Sequence, residues 1–455
     1  MVKITQIGDK ESLLYESLKK ALSKIEGGYY MKKIMSLILC SVLILGGMAG
    51  CGKPAAENNP TNTEGTDKAQ EQVTQAATEP VELKIWHDAD EKTMAVMQQR
   101  VNEELKADQI SVTFEKKSGL TDQLKLYGTD EANGPDLYFY AQDSIGIFAE
   151  MGIIAPITDI ISEEVLGDLL PVTVEAGTYK EIKYQLPEYF ETLLFLYNKD
   201  LWKGELPSTT DALYQYMLDN TDSAAGTYAV VNQHSTAYNV APFINGFGGF
   251  IINSDAEPGL NLQATKDAIA YNQKFAQLQA DGDYNTVSTL FNDQKAAAII
   301  GGPWLIGGIK EAGINLGYKS LSEFTLPNGK GLAPYSGVQG FSVMKYAVAS
   351  KKDAIAKVLG VLADAKTGAD LAKQFNCAPA NGTSYDDADV SGNEMIMAMK
   401  ATAATAQPMP NIPQLSVMWA PTEALLAAVN KAGEDIDASA DRYQNEAITA
   451  ISDMQ

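Results

Sequence analysis

The chain has 455 residues, 45% hydrophobic and 8% aromatic, which suits a soluble globular protein of two or three domains. A formal net charge of −23 excludes surfaces built for nucleic-acid phosphates or anionic lipid headgroups, because both need clustered Lys or Arg. Two arginines, Arg100 and Arg442, leave little material for the bidentate clamp that grips carboxylates and phosphates, so a neutral ligand is favoured.

Residues 1–30 include Glu11–Ile25, which could form an amphipathic helix. A signal peptide is then predicted over residues 31–50: basic Met31-Lys32-Lys33 precedes Ile34–Met48, an apolar run too short for a comfortable membrane span. It ends in Met48-Ala49-Gly50-Cys51, which resembles the lipobox of bacterial lipoproteins. That resemblance implies a lipid on Cys51, with a plain secretory cleavage near Ala49 as the alternative. Signals stand at true N-termini, so translation is expected to start at Met31, making residues 1–30 an extension. Residues 51–80 lack aromatics and are rich in Ala, Thr, Asn, Gln and Glu, the composition of a disordered tether.

Folded sequence begins at Val81. Leu83–Trp86 reads as a strand, Glu91–Ala107 as a helix with Met94, Met97, Val101 and Leu105 on one face, and Ile110–Phe114 as a second strand. Gly134-Pro135 marks a turn into the strand Leu137–Tyr140, followed by a helix through Met151. This alternation predicts βαβ units and a parallel sheet. Such sheets bind ligands at the carboxyl ends of their strands, where Tyr140 and Asp143 would stand. Strands are also predicted over Tyr184–Pro187, Glu191–Tyr197, Ala296–Ile300 and Gly337–Met344. Helices are predicted from an opening at Pro207–Asp211 through Leu218, over Thr265–Ala280, after Pro303, over Lys352–Lys366 and from Glu423. Tyr228–Ile252, rich in Gly, Asn, Tyr and Phe, reads as a loop-bearing segment lining a cleft.

His87 and His234, with no His/Cys cluster, read as structural or exposed; no metal or cofactor is expected. Cys40, Cys51 and Cys377 give no disulfide framework, and Cys377 reads as a small buried residue.

Four stretches pair an aromatic with a polar group: Tyr140 with Asp143, Glu191 before Tyr197-Asn198-Lys199-Asp200, Gly302-Pro303-Trp304, and Met409-Pro410-Asn411-Ile412-Pro413-Gln414 leading to Trp419. In this order and behind a lipobox they resemble the maltose/maltodextrin-binding members of the extracellular solute-binding proteins that serve ABC importers. The resemblance spans roughly residues 81–450. It implies an α/β, two-lobed, type II periplasmic-binding-protein-like fold, with the ligand cleft between lobes joined by a multi-crossing hinge. Lobe 1 would comprise residues 81–190 and 340–388, and lobe 2 residues 193–336 and 393–450. By position, Tyr140, Tyr238, Trp304 and Trp419 would stack on sugar rings, while Asp90, Asp143 and Glu191 would take hydroxyl hydrogen bonds. Ser144 and Glu91 stand where the closest maltose binders have cations. The tryptophans Trp86, Trp304 and Trp419 are expected in or near the cleft, and Trp202 in packing.

The function so implied is a monomeric, lipid-anchored protein on the extracytoplasmic face of the bacterial membrane. It would deliver a neutral oligosaccharide, maltodextrin first, to ABC permease subunits. Alternatives are another oligosaccharide, a surface adhesin, or a glycosidase using Asp143 and Glu191. Their neighbours read as polar and solvated, which argues against catalysis.

Overall fold

The computed structural model describes residues 80–454; the extension, the signal segment, Cys51 and all but the last residue of the tether lie outside the described residues. The chain lays down β1 (Val81–His87), β2 (Ile110–Lys116) and β3 (Leu137–Ala141), then a small hairpin of β4 (Thr178–Tyr179) and β5 (Ile182–Lys183), then β6 (Leu186–Thr192). Next come β7 (Leu194–Asn198), β8 (Tyr228–Val231), β9 (Ala296–Gly301), β10 (Leu316–Ser320) and β11 (Tyr335–Val343). Two-residue strands β12 (Ala378–Pro379) and β13 (Gln407–Pro408) follow. One sheet has the order β12-β6-β11-β3-β1-β2 with β13 added beside β11, and the other has the order β10-β7-β9-β8. As the alternation of strands and helices predicted, β1 runs parallel to both β2 and β3.

The Gly134-Pro135-Asp136 turn is structural. The Asp136 carboxylate accepts the Lys84 N–H at 2.8 Å and the Lys351 ammonium at 2.8 and 3.0 Å. A Cβ at Gly134 would fall 2.5 Å from the Tyr127 carbonyl oxygen, so no larger residue fits there. The turn launches β3, whose Phe139 packs against Phe341 of β11 with ring centroids 4.9 Å apart. Truncating such a fully buried ring costs about 3–5 kcal/mol.

The predicted strand Glu191–Tyr197 is two strands in two sheets. Thr192 pairs with Ser336 in the first sheet, while Leu194 pairs with Gly301 and Ser320 in the second. The chain changes sheets at Leu193. No Gly or Pro marks the change, because a run buried in both sheets reads as one apolar segment. Of the strand predicted over Tyr184–Pro187, Leu186 and Pro187 open β6, while Tyr184 and Gln185 link the hairpin to it. The loop predicted over Tyr228–Ile252 is mostly ordered as β8 and the helix Ala237–Phe247. Pro242 inside that helix removes one N–H from its ladder, which is why local composition disguises it. The helix from Glu91 stops at Glu104, and Lys106–Asp108 tightens into a 3-10 turn.

Trp86 corrects an expectation. It is 3% exposed, donates its indole N–H to Glu115 at 3.1 Å and lies under Lys117, which makes it lobe packing and not a cleft ring. Trp202 stacks on Tyr216 at 4.0 Å, as packing. Both histidines are buried, and Cys377 is half-buried where a fully buried residue was expected. Among the described residues no helix is long and apolar enough to cross a membrane.

Candidate functional site

The carboxyl end of β3 runs directly into a 3-10 turn, Gln142–Ser144, which turns Asp143 outward while Gln142 is fully buried. Tyr140, Asp143 and Trp419 line one depression of about 180 Å3. Thr121, Ser144 and Ile147 complete one wall; Ile412, Pro413, Leu415 and Ser416 complete the other beside Trp419. The Thr121 hydroxyl touches the Tyr140 hydroxyl at 3.5 Å and steadies the ring. Ser144 turns its hydroxyl back to the Ala141 carbonyl at 3.0 Å.

A second aromatic group stands at the neighbouring strand ends. Tyr238 lies 6.2 Å from Trp304 and 6.3 Å from Tyr335, centroid to centroid. Trp304 follows β9 in the turn Pro303–Leu305 and is 45% exposed. Its ring lies over Gly302, where a Cβ would fall 2.2 Å from the indole, so that position requires glycine. Glu191, on β6 opposite Gly337, is close enough that its charge helps raise the Tyr238 phenol above its ordinary value, after burial.

The two carboxyls are not freely solvated, contrary to the sequence reading. Asp143 is open to water at its tip but hemmed in by the cleft walls. Burial raises its pKa, its own and the Ser144 backbone N–H pull it back, and the Asp88 charge adds a further rise. Burial raises Glu191 too. Among the described residues, Asp143 is the sole charged residue lining the depression. Arg100 pairs with Asp364 and Asp370 at 3.2 and 3.5 Å, and Arg442 with Glu434 at 2.6 Å, so both guanidinium groups are committed elsewhere.

Asp90 is exposed and caps the helix Glu91–Glu104 by accepting the Lys92 N–H at 3.1 Å. Its charge does act on the Cys377 thiol, as do those of Glu191 and Glu188, which places it on the Glu191 side. Sequence reasoning missed Asp88, which directly follows β1 and acts on Asp143, and Tyr335, which carries Tyr238. Alternation along Trp86–Asp90 was the available signal for the first; nothing local marked the second. A separate void of about 10 Å3 inside the second lobe, walled by Phe195, Phe243 and Phe275, has room for about one water and serves no ligand.

Two sheets joined by a strand that leaves one for the other, with acids and aromatic rings gathered at their edges, define a two-lobed α/β binding-protein fold. Residues 88–369 match the bacterial extracellular solute-binding proteins, and the chain belongs to that family. A maltotriose-binding protein of Pyrococcus abyssi is 28% identical over 80% of this chain and 81% of its own length. A galactooligosaccharide-binding protein of Bacillus subtilis is 26% identical over 88% and 92%. The crystal structure of a cyclo/maltodextrin-binding protein with maltotetraose superposes with a TM-score of 0.75 at 23% identity, covering 84% of this chain and 98% of that one; this likeness is one of fold.

Proposed function

We propose that the chain is the lipid-anchored, extracytoplasmic substrate-binding protein of an ABC importer for neutral oligosaccharides, with maltodextrins as ligands. Residues 81–190 with 340–388 would form one lobe and 193–336 with 393–450 the other, closing on the sugar as a monomer and then docking on the permease subunits. The observation that carries this reading is the depression shared by Tyr140, Trp419 and Asp143, with no cation among its described lining residues. Flat rings take the C–H faces of a pyranose, and a lone carboxylate takes its hydroxyls. Tyr238, Trp304 and Glu191 would serve a neighbouring sugar ring, and Asp90 an outer hydroxyl.

Family membership argues against catalysis. The Bacillus relative favours a second reading, a galactooligosaccharide as ligand. Calorimetry with maltotriose and a galactotriose, with product analysis, tests all of these. Micromolar binding of maltotriose without cleavage is expected; tighter binding of the galactoside selects the second reading, and released glucose refutes both.

A further inference from the structure

Between the end of β3 and the start of β13, the edge of β11 lacks a neighbouring strand. On that edge β3 pairs as far as Gln339 with Ala141, and β13 resumes at Ser336 with Pro408. The side-chain amide of Gln142 fills the gap. Its Oε1 accepts the Val338 N–H at 2.7 Å, and its Nε2 donates to the Ser336 carbonyl at 3.4 Å. A residue on a parallel strand makes the same two bonds around its partner, here Gly337. Glu191 pairs with Gly337 from the opposite edge. The same Nε2 also reaches the Met409 carbonyl at 3.4 Å, at the head of the segment that ends in Trp419.

We infer that Gln142 is the positioning residue of the site. Its buried amide locks Asp143, Glu191 and the Met409–Trp419 segment into one register without touching ligand. Asp143 is next to it in the chain, Glu191 lies across Gly337, and the Met409 carbonyl, at the head of the segment that leads to Trp419, is bonded to it directly. Tyr335, which supports Tyr238, is adjacent to Ser336, so the second aromatic group is tied to the same point. A fully buried amide that bonds three backbone groups on two other chain segments has no apolar substitute that preserves those bonds.

The inference rests on the sugar-binding reading, and two variants with two readouts separate the failures. Gln142→Met keeps the volume and removes all three bonds. It should weaken maltotriose binding about three- to thirtyfold at 25 °C, the range for a residue coupled to a site it does not touch. Combined with Asp143→Asn, the double variant should lose less than the product of the single losses, because both changes act on the same carboxylate. A purely structural role would lower the melting temperature and leave affinity at 25 °C unmoved; that result, or fully multiplicative losses, overturns the inference. In Gln142→Glu, the protonated acid can still donate to Ser336 and accept from Val338, so its affinity relative to the parent should recover as pH falls. Amide hydrogen exchange judges the clamp without ligand. Faster exchange at the Val338 N–H, which the amide oxygen holds directly, in Gln142→Met supports it and unchanged exchange there refutes it, even should the parent bind no maltotriose and the sugar reading fall.

Discussion

Removing the Trp304 ring is the sharpest test of the stacking surface. The residue is 45% exposed. For a side chain of about 250 Å2, that leaves on the order of 110 Å2 open to water, of which a sugar face would cover about 70 Å2. At about 25 cal/mol per Å2 the lost contact is worth roughly 1.8 kcal/mol, or about twentyfold in affinity. Folding should be little affected, because the ring sits on the rim over Gly302 and against Tyr238 and fills no core space. Trp304→Ala should therefore raise the maltotriose dissociation constant about twentyfold with a melting curve near the parent's, and Trp304→Phe should recover part of the loss. Calorimetry beside thermal unfolding makes the measurement. An affinity within about twofold of the parent, in a folded variant, would show that the ring is rim packing and that the stacking argument is wrong.

Three further outcomes follow from charge and anchoring. Asp143 and Glu191 accept hydroxyl hydrogen bonds most strongly when ionised, because charge-assisted bonds are about twice as strong as neutral ones, and burial raises both. Affinity should hold at neutral pH and begin to fall above the ordinary carboxylate range of about 4 as pH drops; a flat titration down to that range contradicts the assigned roles. Glu188 is 3% exposed, and one of its oxygens has no partner among the described residues. Burial holds its pKa well above the usual carboxylate range, with the Arg100 charge offsetting part of the rise. Folding therefore disfavours the ionised form: the penalty is absent below the unfolded value of about 4.3 and grows as pH rises through the folded one. Glu188→Gln should gain melting temperature over the parent more at pH 8 than at pH 5, and equal gains at both would show that Glu188 is not ionised against its environment. Cys51→Ala should move the protein from the membrane to the soluble fraction, and continued retention would contradict lipidation.

Much of the site was legible because it sits where local rules apply. Gly134-Pro135 starts a strand whose carboxyl end carries Tyr140 and Asp143, and Gly302-Pro303 launches Trp304 from β9 in the same way. The parallel order of β1, β2 and β3 followed from the spacing of apolar runs. Other features were hidden because they depend on what a residue meets across the fold. Trp86 shares the strand-end context of the site aromatics, but Glu115 of β2 and Lys117 just after it enclose it. The Ala237–Phe247 helix runs against the local propensity of Pro242 and is held by packing.

What the sequence by itself determined is the list of parts: two arginines (a scarcity that favours a neutral ligand), an alternating α/β pattern, and the short motifs that put rings and acids at strand ends. Tertiary structure alone decided which parts meet. Leu193 carries the chain from one sheet to the other without a turn signal, and Gln142 replaces a missing stretch of strand beside β11. Periodicity records which face of an element is buried but not which element covers it, so these pairings between residues far apart in the chain had no local signature.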